Sequence, residues 1–203
     1  MRRRVFVIGL VGVWSQTQAV GSERLVVLNQ LLATVGAAAQ AMSQLAKSLK
    51  DWLTLGQATY SVFSAERERS RLIAISKGMT TLVVSQNAGL IQTLDQYLAA
   101  KVPTENDWAR VLTHVESTLV AVQVLLKDLQ AENGAVVLEP VFLTLNQTLS
   151  ARTALLDTLL DMPVPHDAQE RQVLHKVSRA YKVLIANATQ ALAELNRYVK
   201  SRP

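Results

Sequence analysis

A chain of 203 residues, 49% hydrophobic but only 5% aromatic, can bury one domain whose core is built from Leu, Val and Ala rather than from rings. Eight glycines and five prolines supply too few turns for an all-β chain of this size. The absence of cysteine excludes disulfides, thiolate metal sites, c-type haem attachment and a cysteine-linked lipid anchor.

The chain opens Met1-Arg2-Arg3-Arg4, runs through the apolar stretch Val5 to Trp14, and turns polar at Ser15-Gln16-Thr17-Gln18 before Ala19. A basic end, a short apolar run and small residues at Thr17 and Ala19 are the layout of a secretory signal peptide. The apolar run is about half the roughly 20 residues that a permanent membrane-spanning helix needs. Residues 1–19 are therefore expected to be a cleaved signal peptide, and 20–203 a single helical-bundle domain. The charge of +5 comes from 21 basic and 16 acidic residues, so losing Arg2, Arg3 and Arg4 leaves 18 against 16, a balance of +2. The basic excess belongs mainly to the leader, and no clustered basic surface remains to read as a nucleic-acid site.

The first helix of the mature chain is expected from an N-cap at Ser22 to about Leu55, with Gly56 as its stop. Its seam falls on a three-then-four spacing through Leu28, Leu32, Val35, Ala39, Met42, Ala46 and Leu49. A second helix follows to about Lys101 along Leu72, Ile75, Met79, Leu90, Leu94 and Tyr97, with Gly78, Gly89 and Gln86 near the stripe. Thr104 and Asp107 form a capping box for a third helix, whose seam is Trp108, Val111 or Leu112, Val115, Leu119, Val122, Leu126 and Leu129. Asn133-Gly134 stops it. Glu139-Pro140 opens a fourth helix that uses Phe142, Leu145, Leu149, Leu156, Leu159 and Leu160. Asp167 and Glu170 cap the last, which carries Val173 or Leu174, Val177, Tyr181, Leu184, Ala188, Leu192, Leu195 and Val199. The expectation is an all-α, elongated up-and-down bundle of four to five long antiparallel helices with coiled-coil-like seams. The first helix is expected to pack on the closing helix of the same chain, with a second copy as the alternative.

Chemistry-bearing constellations are sparse. His114, His166 and His175 lack the one-turn pairing of a helical metal site, and His175 follows Glu170 by five residues, which is the wrong spacing for a carboxylate-bridged di-iron bundle. There is no Gly-x-Ser-x-Gly elbow and no phosphate-cradling glycine loop. No catalytic residue, cofactor or metal ligand is assigned. Two stretches are candidate partner contacts. One is the charge run containing Arg67, Arg69 and Arg71, in which Arg67 and Arg71 lie one turn apart. The other is the apolar trio Val136, Val137 and Leu138 between two helices.

By elimination the chain reads as a non-enzymatic exported bundle, periplasmic or secreted, acting as a structural or interaction component of a bacterial envelope assembly, an adaptor or accessory subunit. A protein partner or a homo-oligomer is expected, and nucleic acid is not. The alternatives are a bundle that binds a small ligand among small residues such as Gly36 to Ala39, and a membrane-active protein using Val136 to Leu138 and Leu82 to Val84.

Overall fold

The computed structural model describes residues 8–55, 73, 76–81, 86–130 and 139–201. In them the apolar spacings of the sequence are realised as helix, and no strand occurs among the described residues. The helices are α1 (Ile8–Leu55), α2 (Ala88–Ala99), α3 (Glu105–Gln130), α4 (Glu139–Asp161) and α5 (Ala168–Ser201). The protein is an all-α bundle.

Each helix rests on one or two adjacent apolar seams. Leu28, Val35, Ala39, Met42 and Ala46 of α1 are buried as their spacing predicts, while Leu32 is only half-buried. A second seam lies beside them in Val27, Leu31, Ala38, Ala41 and Leu45, so α1 buries a wider face than one stripe. The reason is its position: α1 packs against α5 on one side and α4 on the other. The outward face carries Asn29, Gln30, Gln40, Ser43, Gln44 and Lys47. By length and composition the stretch Glu23–Lys47 is apolar enough to cross a membrane, yet its large apolar side chains mostly point into the bundle, Val26 being the exposed exception.

The packing order is a closed ring. Helix α1 touches α5 and α4, α4 touches α3, α3 touches α2, and α2 returns to α5, with the core enclosed between them. The α1–α5 contact is the most extensive, which answers the expectation that the first helix packs on the last. Small residues line it, among them Ala39, Ala46, Ala188 and Ala191, all buried. Arg24 meets Glu170 and the Ala39 carbonyl accepts from Asn187, so positions advance together and the two helices run parallel.

Three further differences concern helix ends and regularity. Helix α1 is already formed at Ile8, so in this chain Ser22 is an interior helical residue rather than a cap, and the expected cleavage point after Ala19 falls inside the helix. At 1.5 Å per residue its 48 residues span ~72 Å, against the roughly 50 Å expected from a start at Ser22. The second expected helix is not uniform: wider π-type turns occur at Thr81 and at Gln86–Asn87 before regular α2 begins. The stop at Gly56, the first part of that second helix and the Asn133-Gly134 stop lie outside the described residues.

The capping chemistry is as the sequence states it. Thr104 Oγ1 accepts from the Asp107 amide at 3.2 Å, and Asp107 Oδ2 accepts from the Thr104 amide at 3.0 Å. Asp167 Oδ1 accepts from the Gln169 amide at 2.6 Å, and Glu170 Oε2 takes the amides of His166 and Asp167, each at 3.2 Å.

Candidate functional site

Of the residues singled out in the sequence, Arg67, Arg69, Arg71, Val136, Val137 and Leu138 all lie outside the described residues. The histidines are placed, though not in one another's company. His114 on α3 covers Gly89 of α2, where an added Cβ would meet its Cε1 at 3.0 Å. His166 is exposed, with Nδ1 2.9 Å from the Val164 carbonyl. His175 is exposed on α5. No group of three His, Asp or Glu side chains converges as a metal site among the described residues.

What the structure assembles is a polar clasp at the end of the bundle where α5 begins. Glu170 is 1% exposed; one carboxylate oxygen caps α5 and the other lies 2.7 Å from Arg24 Nε on α1. The next residue, Arg171, reaches the other way, its Nη2 donating to the carbonyls of Leu98 at 2.5 Å and Ala100 at 3.1 Å. It thereby satisfies the orphan carbonyls at the C-terminus of α2, where a cation is also favoured by the helix dipole. Tyr97 closes the clasp: its hydroxyl donates to the Pro165 carbonyl, and its ring packs on Trp108 at 5.4 Å between centroids. Burial raises the Tyr97 phenol well above its ordinary value, opposed in smaller measure by Arg171.

Along the α2–α5 face a second polar group sits near the surface. Asp95 accepts from Lys182 at 2.8 Å and from Ser178 at 2.7 Å. The Lys182 hydrogen bond holds the Asp95 carboxyl below its usual range against the opposing effect of burial, with the Ser178 bond adding to it in smaller measure.

The interior holds a third. Arg152 on α4 is 3% exposed, its guanidinium 5.9 Å from the centroid of the Tyr181 ring. Its Nε and Nη1 meet no hydrogen-bond acceptor among the described residues. Desolvation raises the Tyr181 phenol, partly offset by the Arg152 charge. Register places more polar atoms at this level. Two helical turns carry Leu159 to Arg152 on α4, Leu94 to Asn87 on α2 and Val111 to Thr118 on α3. Asn87 and Thr118 are both fully buried, the latter with its hydroxyl turned back to the His114 carbonyl at 2.8 Å. Toward the clasp the interior becomes apolar, around a void of about 10 Å³ lined by residues such as Leu31, Leu90, Trp108, Leu159 and Leu174. That is room for one water at most.

Arg24 and Arg152 were not picked out in the sequence, and Glu170 was read only as a cap, yet a signal existed for both arginines. Arg24 stands four residues before Leu28, and Arg152 stands seven before Leu159, each in phase with its apolar seam. A charge in seam phase has to be buried and partnered, or buried at a cost. The arrangement is suited to clamping helices to each other. Comparison with protein-family models, with curated proteins and with solved structures returned no match for the chain.

Proposed function

We propose that the protein is a non-enzymatic, exported helical bundle that serves as a structural or interaction component of a bacterial envelope assembly, an adaptor or accessory subunit. The observation that carries this reading is α1. A basic and apolar N-terminal segment of secretory layout leads, without a break from Ile8 onward, into the central helix of a bundle. Supporting it, the polar side chains of the clasp are engaged in caps, an ion pair and helix-to-helix bonds, while the void near them is apolar and water-sized. The partner is a protein or a second copy of the chain.

A second reading keeps the N-terminal segment as an anchor, and the continuity of α1 favours it, because a retained segment would be rigidly joined to the bundle. One experiment separates the two. The tagged chain is expressed in a bacterial host, fractionated, extracted with alkaline carbonate, and its N-terminus determined by mass spectrometry. Release as a soluble envelope protein beginning at Val20 supports export and cleavage; an intact N-terminus that stays with the membrane supports the anchor. Chemical cross-linking in the same cells tests the interaction role. A strictly monomeric protein with no cross-linked neighbour in the envelope overturns it.

A further inference from the structure

We infer that α4 is a strap that opens from the bundle ahead of the other helices, and that hydration of the buried Arg152 guanidinium drives the opening. Among the described residues the backbone of α4 packs on α1 and α3, and α4 reaches α5 through Arg152, which lies over the Tyr181 ring. Its described side chains anchor it thinly. Leu159 and Arg152 are buried, Leu149, Leu155 and Leu156 are half-buried, and Leu143 and Leu160 are more than half exposed. Helix α5, by contrast, buries Val173, Leu174, Val177, Tyr181, Leu184, Ala188, Ala191 and Leu195.

Of the two buried groups among the described side chains of α4, one works against its docking. An arginine stays charged at any ordinary pH, so Arg152 cannot shed its charge on burial as a lysine or a carboxyl can. The Tyr181 ring face offsets only part of the lost hydration, and Nε and Nη1 have no acceptor among the described residues. The described carboxylates have other engagements or face water. Asp95 is held by Lys182, Glu170 by Arg24, Glu194 by Arg197 and Asp107 by Thr104, while Asp157 and Asp161 of α4 itself are exposed. Opening returns the guanidinium to water and uncovers Leu31 of α1 with Val111, Leu112 and Val115 of α3.

Hydrogen exchange of the full-length chain, read by mass spectrometry, tests this. The amides of α4 are expected to exchange at least about tenfold faster than those of α1 and α5 in their buried centres. R152M, which keeps length and removes charge, slows α4 exchange by about tenfold and leaves α5 unchanged, since apolar isosteres of buried unpaired charges stabilise. Equal exchange of α4 and α5 in the wild-type chain overturns the inference. So does an R152M protein whose α4 exchanges as fast as wild type. Where R152M does not fold, R152Q takes its place with the same expected slowing.

Discussion

Arg24 Nε lies 2.7 Å from Glu170 Oε1, and this ion pair fixes the register in which α1 and α5 run side by side. Glu170 is almost wholly buried and Arg24 is 17% exposed, so water does little to screen them. Removing one partner strands the other. R24M is expected to destabilise the fold by about 3 kcal/mol in urea denaturation. R24M/E170Q, in which the amide oxygen still accepts the capping amides and no charge is stranded, recovers a good part of that loss. Equal stability of R24M and wild type would show that the pair contributes nothing.

Two glycines on helical backbone are expected to respond in opposite directions to the same substitution. A Cβ at Gly36 meets nothing within 4 Å, so G36A gains helix propensity without a clash and raises stability by about 0.5 to 1 kcal/mol. A Cβ at Gly89 comes within 3.0 Å of the His114 ring, and G89A lowers the melting temperature unless the ring shifts. The double variant G89A/H114A regains what G89A loses. Thermal unfolding of the three proteins checks both statements.

Asp95 gives the bundle a small acid dependence. Its folded carboxyl sits below the ordinary value of 3.8, chiefly through Lys182, so its contribution is complete above that value and disappears as pH falls through the lower folded one. K182A returns the Asp95 carboxyl toward 3.8, which a carboxyl NMR titration reads directly. The accompanying loss of stability is slight, because both side chains are about half exposed.

Tyr97 and Tyr181 set the alkaline limit. Burial raises both phenols, so the stability they contribute is intact below the ordinary tyrosine value of 10.0 and is lost as pH rises toward their folded values. Tyrosinate absorbance is expected to show these two groups ionising together with unfolding, whereas Y97F/Y181F removes that coupled step. Ionisation of either residue at its ordinary value in the folded protein would contradict their burial.

Much of this architecture is legible in the residues. The seams of α1, α3 and α5 are regular enough to place Leu28, Val35, Val115, Tyr181 and Leu184 inside, and both capping boxes can be read from three-residue spacings. Leu32 and Leu192 are half-buried because a helix of 3.6 residues per turn drifts away from a strict repeat of 3.5. The second buried seam of α1 depends on how many neighbours that helix has, which local spacing does not encode. The π-type turns before α2 are likewise invisible in Gln86 and Asn87 alone, neither of which breaks a helix. The polar groups of the clasp come from four separate stretches of chain, so only Glu170 and the Thr104–Asp107 pair carry a local signature. Arg24 and Arg152 were legible as charges in seam phase, but their partners were not.

The pairing of α1 with α5 also decides when the fold can be completed. Among the described residues the most extensive helix-to-helix interface joins α1 and α5, so the chain must be made as far as α5 before the apolar face of α1 is fully covered. Neighbouring helices can associate as soon as both exist, with short connections and little loop entropy to overcome. Closure of α1 onto α5 bridges the longest separation in the molecule and comes last. A nascent chain therefore carries an uncovered apolar stripe until its final helix arrives, and a chain cut short within α5 has no second way to close the ring.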